Sequence, residues 1–101
     1  MPLKVAFQNI DGKRYKEIFP SNGLLDEILP FDDASFPLLG WIDPYSNTIF
    51  NTNQMRPLVR ELDRLAQTLS HEEERELVAK IREIAVECQG KPQTYLRFIG
   101  D

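Results

Sequence analysis

Two amphipathic patterns that meet at a single residue constrain this chain more than any other feature. Met55, Leu58, Val59, Leu62, Leu65, Ala66 and Leu69 recur at intervals of three and four, which places them on one face of a helix. Leu77, Val78, Ile81, Ile84, Ala85 and Cys88 mark a second such face, and Ser70 directly separates the two patterns. Helices joined so tightly pack as an antiparallel hairpin. Pro57 loses no intrahelical bond if it lies in the first turn, so the first helix is expected to start near Thr52 or Asn53, with a cap drawn from Asn51 to Asn53. For the second helix, Ser70-His71-Glu72-Glu73 reads as a capping box between Ser70 and Glu73, and Gly90 followed by Pro92 supplies the stop.

The remaining segments read mostly as strands. Leu3, Val5 and Phe7 alternate with Lys4, Ala6 and Gln8, and Asp11-Gly12 then offers a tight turn, so the chain opens on a hairpin. A two-residue loop would set Phe7 opposite Lys16 and Ile10 opposite Lys13, an imperfect pattern that leaves room for a longer loop or a bulge. Residues 20 to 37 hold Pro20, Pro30 and Pro37, with Leu24, Leu25, Ile28 and Leu29 spaced for a short helix inside a long loop. Phe36 to Ile42 and Thr48 to Phe50 are expected as strands flanking the turn Asp43-Pro44-Tyr45-Ser46-Asn47, and Thr94 to Ile99 as a final strand docked beside an earlier one. The expected fold is a single α+β domain over residues 1 to 101, a mainly antiparallel sheet of four to five short strands covered on one face by the helical hairpin. A chain of 101 residues buries about two-thirds of its unfolded surface and needs no metal or disulfide staple.

Composition removes several classes of function. A lone cysteine, Cys88, excludes an intrachain disulfide and a cysteine-based zinc cage, and it fits a reducing cytoplasm. The longest apolar run, Phe36 to Ile42, is far shorter than the ~20 residues of a membrane span, and the first residues turn polar too soon for a secretory leader. No glycine-rich phosphate loop occurs, and the single histidine, His71, follows a helix cap where the imidazolium is disfavoured. No catalytic residue, cofactor or metal is therefore expected, and the protein reads as more a binder than an enzyme. Arg56, Arg60 and Arg64 form a stripe, but Glu61 and Asp63 interleave it, so intrahelical pairing and contact with acidic loops explain it better than nucleic acid does.

Charge is concentrated in the middle of the chain. The formal net charge is −4, and between Lys16 and Arg56 there is no Lys or Arg while Glu17, Asp26, Glu27, Asp32, Asp33 and Asp43 all fall there. Within that stretch, Trp41-Ile42-Asp43-Pro44-Tyr45 joins an expected strand to a turn. Local turn chemistry accounts for much of it: Asp43 and Asn47 shape the turn, Asn51 or Asn53 caps the helix, and Trp41 and Phe50 fill core. The alternative makes Trp41 and Tyr45 interface anchors. On that reading Asp32, Asp33, Trp41, Asp43 and Tyr45 bind a basic partner protein, with neither nucleic acid nor membrane involved. A second alternative is a ligand or enzymatic site between the loop at 20 to 37 and the sheet, using Asp43, Tyr45 and Asn51. A third is a homodimer built on the free edge of the terminal strand or on exposed aromatics.

The Trp41-Ile42-Asp43-Pro44-Tyr45 turn, with the closing Tyr95-Leu96-Arg97-Phe98-Ile99-Gly100-Asp101, resembles small bacterial proteins of unassigned function over roughly the last two-thirds of the chain. That resemblance implies no activity and carries over no residue role. In size and charge the chain is also similar to bacterial immunity proteins that neutralise toxins, a likeness of class that many unrelated domains share.

Overall fold

The computed structural model describes residues 2–100. Its elements run β1 (Lys4–Asn9), β2 (Arg14–Ile18), α1 (Leu24–Ile28), β3 (Asn47–Asn51), α2 (Met55–Thr68), α3 (Glu72–Gln89) and β4 (Thr94–Ile99). The four strands form one antiparallel sheet in the order β2-β1-β4-β3. The expected α+β architecture is present, with a helical hairpin of α2 and α3 against one face of the sheet.

Alternation in the strands creates that face. Val5 and Phe7 of β1 stand in register with Phe98 and Leu96 of β4, which in turn oppose Thr48 and Phe50 of β3. Val5, Phe7, Phe50, Leu96 and Phe98 are buried, and the rings of Phe50 and Phe98 meet edge to face with centroids 5.8 Å apart. From above, α2 contributes Met55, Leu58, Leu62 and Leu65, and α3 contributes Leu77, Val78, Ile81, Ile84, Ala85 and Cys88. An ion pair of Asp63 with Arg82 at 2.6 Å ties the two helices at the surface.

The opening hairpin takes both of the permitted irregularities. Asn9 accepts at its side-chain oxygen from the amides of Asp11 and Lys13, Gly12 adopts a φ of 88°, and the loop is therefore longer than two residues. Phe7 opposes Lys16 as expected, but the register shifts before Gln8, which opposes Arg14. Tyr15 is the extra residue of a β-bulge, and its ring lies 5.2 Å from that of Phe7. Ile10 has no strand partner and is exposed.

Three expectations fail for identifiable reasons. Phe36 to Ile42 is not a strand: it is a compact loop with a short 3-10 turn at Leu39–Trp41. Pro37 removes one backbone donor, and the carboxylate of Glu61 takes the amides of Leu38 and Leu39, so no ladder can form there. The capping box expected at Ser70 is also absent. The extended residue preceding α3 is His71, no side chain caps the helix, and Ser70 lies one residue too far back to reach the first turn. The box forms instead at α2, where Asn51 and Gln54 exchange side-chain and backbone bonds around a 3-10 turn at Thr52–Gln54. Finally, β4 has no free edge on which a homodimer could build, because it is inserted between β1 and β3. The sheet's edges are β2 and β3.

Candidate functional site: the Trp41 and Tyr45 face

Residues 30 to 46 form a self-bonded platform beside α2. Phe36 accepts from the amide of Gly40 at 2.7 Å, Gly40 accepts from Asp32 at 2.9 Å, and Asp33 accepts from Phe36 at 3.0 Å. Gly40 is needed for this closure, since a Cβ there would lie 2.6 Å from the carbonyl oxygen of Asp33. Asp32 sits in the left-handed region at φ 59°, a conformation that Asp tolerates better than most residues. The platform is anchored to α2 by Glu61, whose carboxylate is buried and accepts from Leu38 at 3.0 Å and Leu39 at 2.8 Å.

The following turn is fixed from both sides. Asp43 accepts at its carboxylate from the amide of Tyr45 at 2.8 Å, its own amide donates to the hydroxyl of Thr48 at 3.0 Å, and Ser46 donates back to the carbonyl of Asp43. Beyond β4, Gly100 donates to Ser46 at 2.8 Å and packs so closely that a Cβ would meet the carbonyl oxygens of Ser46 and Pro44 at 2.5 and 2.6 Å.

Platform and turn together hold two large rings out in solvent. Trp41 is 80% exposed and Tyr45 79%, the two highest values among the large apolar side chains of the described residues. Trp41 therefore does not fill core, whereas Phe50 does. Phe31, Asp32, Trp41, Asp43 and Tyr45 line an open concavity of about 520 Å³. Asp32, Asp33 and Trp41 line an adjoining one of about 260 Å³. All five residues of the expected partner-binding set thus share one continuous surface. Bonds from the hydroxyl and then the amide of Ser35 lower the pKa of Asp33 below the usual carboxylate value, with Arg64 adding to them against a small opposing effect of burial.

The alternative ligand set is not brought together. Asp43 and Tyr45 share the concavity, but Asn51 lies at the other end of β3 with its side chain committed to the capping box. Nor is the segment at 20 to 37 a lid: Leu25, Ile28 and Leu29 are buried in the core, and Asp26 accepts from the amide of Leu3. Among the described residues, no three His, Cys, Asp or Glu side chains gather as a metal site. No helix of the described residues is long and apolar enough to cross a membrane.

The arginine stripe on α2 does not pair within its own helix as expected. Asp63 reaches across to Arg82, Glu61 turns inward to the platform, and the guanidinium of Arg64 lies over the ring of Phe36, 4.4 Å from its centroid. Arg64 keeps the expected proximity to the acidic loop through Asp33. Sequence reasoning missed Glu61 as the residue that positions the site. Its spacing held the signal, three after Leu58 and four before Leu65, which puts a carboxylate on the buried side of α2. No family model, curated protein or solved structure matches the chain.

Proposed function

We propose that this domain is an interaction protein that captures a partner through the Trp41 and Tyr45 face, and that the partner presents a basic surface. The observation that carries this reading is the exposure of both rings on a backbone fixed by Glu61, Gly40 and Gly100, with Asp32, Asp33 and Asp43 around them. Large rings on a fixed backbone have only two side-chain torsions to order on binding, which is how aromatic anchors come to dominate interfaces. The carboxylates contribute orientation and encounter rate, since a negative patch steers a positive one into register. An inhibitor-like role, masking the basic active site of a nuclease or another enzyme, follows from the same complementarity and from the class-level likeness to immunity proteins.

The test is capture from source lysate on the immobilised protein, with a salt gradient for elution and mass identification of what elutes. One basic protein is expected, released by salt, retained by the wild type and lost from an Asp32→Asn, Asp33→Asn, Asp43→Asn variant that remains folded. Equal retention by that variant would remove the acidic face from the interaction.

A further inference from the structure

The Trp41 face carries a chemistry more specific than negative charge, and the molecule contains a small worked case of it. On one side of the platform, Arg64 lies over the ring of Phe36 at 4.4 Å, close enough to Asp33 to help lower its pKa. There the chain itself supplies the cation that covers the ring. Across the platform the same parts recur with the cation missing. Trp41 and Tyr45 supply the rings and Asp32 and Asp43 the carboxylates around the 520 Å³ concavity, and among the described residues no Lys or Arg stands over either ring. None of the ion pairs of the described residues uses Asp32 or Asp43. The chain has no Lys or Arg between Lys16 and Arg56, so no neighbour in sequence supplies the charge either.

We propose that the concavity between Trp41 and Tyr45 receives an arginine side chain of the partner protein, its guanidinium stacked on the indole and hydrogen-bonded to Asp32 and Asp43. This rests on the reading of the face as a protein-binding surface and specifies what fills it. Indole is the strongest of the aromatic cation acceptors, and it offers a flat area that a planar guanidinium covers. The guanidinium fork can donate to a carboxylate while its face remains on the ring, which a lysine ammonium cannot do. It is also more weakly hydrated, which matters in a site this open to water.

Trp41 is the only tryptophan, so the site reports on itself. The probes are acetyl-Arg-Arg-amide and acetyl-Lys-Lys-amide, titrated into the full chain at constant ionic strength. Binding is followed by the indole N–H resonance of Trp41 and the backbone amides of residues 31 to 45. The expected result is saturable movement at these positions, with the arginine peptide bound more tightly by up to about two- to fivefold, the size of one exposed cation–π contact. Asp32→Asn with Asp43→Asn should weaken the arginine peptide several-fold. Glu72→Gln, an exposed carboxylate at the start of α3, should leave it unchanged. Equal affinity for the two peptides, or equal loss in the Glu72→Gln control, overturns the arginine assignment. Capture of a basic partner without any movement at Trp41 on adding arginine peptide also overturns it while leaving the wider reading intact, and failure of both experiments removes the two together. A dispersed amide spectrum for each variant separates loss of binding from loss of fold.

Discussion

The carboxylate of Glu61 accepts a 2.8 Å hydrogen bond from the backbone amide of Leu39, two residues before Trp41, so a side chain of α2 sets the position of a ring in a different segment of the chain. A second bond from Leu38 completes the arrangement, and no cation among the described residues pairs with this buried anion. Backbone amide dipoles alone offset its loss of water.

Glu61→Ala leaves two amides without their acceptor beneath the platform and is expected to cost about 2–4 kcal/mol of stability. Glu61→Gln keeps one acceptor oxygen and should cost less. Denaturant unfolding followed by far-UV circular dichroism measures both, and equal losses would show that the negative charge removed by both variants, not the retained acceptor oxygen or the side chain's volume, decides at this position.

Gly40 and Gly90 offer a matched comparison. A Cβ at Gly40 would meet the Asp33 backbone at 2.6 Å, whereas one at Gly90 has only the carbonyl oxygen of Glu87 at 3.8 Å. Gly40→Ala should destabilise by about 1–3 kcal/mol, while Gly90→Ala should be close to neutral. Similar behaviour of the two variants in thermal unfolding would contradict the close packing of the platform.

Asp33 gives a pH dependence of known sign. Bonds from Ser35 lower its pKa in the folded state, so the stabilisation it contributes is present above its ordinary value and is lost as pH falls through the lowered one. Ser35→Ala removes the hydroxyl bond and should raise the pKa toward the ordinary range, as read from carboxyl chemical shifts. A titration curve unmoved by this substitution would assign the shift to the backbone amide of Ser35, which the substitution keeps, and to Arg64.

The Cys88 thiol is buried, which raises its pKa against the smaller opposite effect of a contact with Thr94. Thiol reagents should therefore label the native protein slowly, at a rate that rises with denaturant in step with global unfolding. Fast labelling of the native state would mean that the end of α3 opens independently of the core.

Much of this fold is legible in the sequence where a local rule decides. The apolar faces of α2 and α3, the short helix at Leu24–Ile28 and the β-branched and aromatic run of β4 all follow from spacing and residue type. Where long-range partners decide, the sequence misleads. Phe36 to Ile42 resembles a buried strand because it is apolar, but the amides of Leu38 and Leu39 go to Glu61 more than twenty residues away and the others turn back on nearby carbonyls. The expected box at Ser70 fails because α3 takes His71 as its cap residue, whereas Asn51, one of the expected caps of α2, closes a box with Gln54. The candidate site follows the same division. Turn chemistry and charge point to Asp32, Asp33, Trp41, Asp43 and Tyr45, but the outward direction of Trp41 comes from the platform and no local pattern encodes it.

The insertion of β4 between β1 and β3 bears on when the Trp41 and Tyr45 face comes into being. Lys4 is paired with Ile99, so the sheet closes only after nearly the whole sequence separating them has been made. A growing chain that has emerged as far as α3 can form the β1–β2 hairpin and the two helices, all from neighbouring segments, but β3 still has no strand beside it. The turn carrying Tyr45 also lacks its bond from Gly100 at that stage. On the ribosome, the acidic segment would emerge well before the turn at Tyr45 acquires its final geometry. Tying the turn to the strand that completes the sheet makes the final placement of Tyr45 a late event in folding, reached together with the closed core.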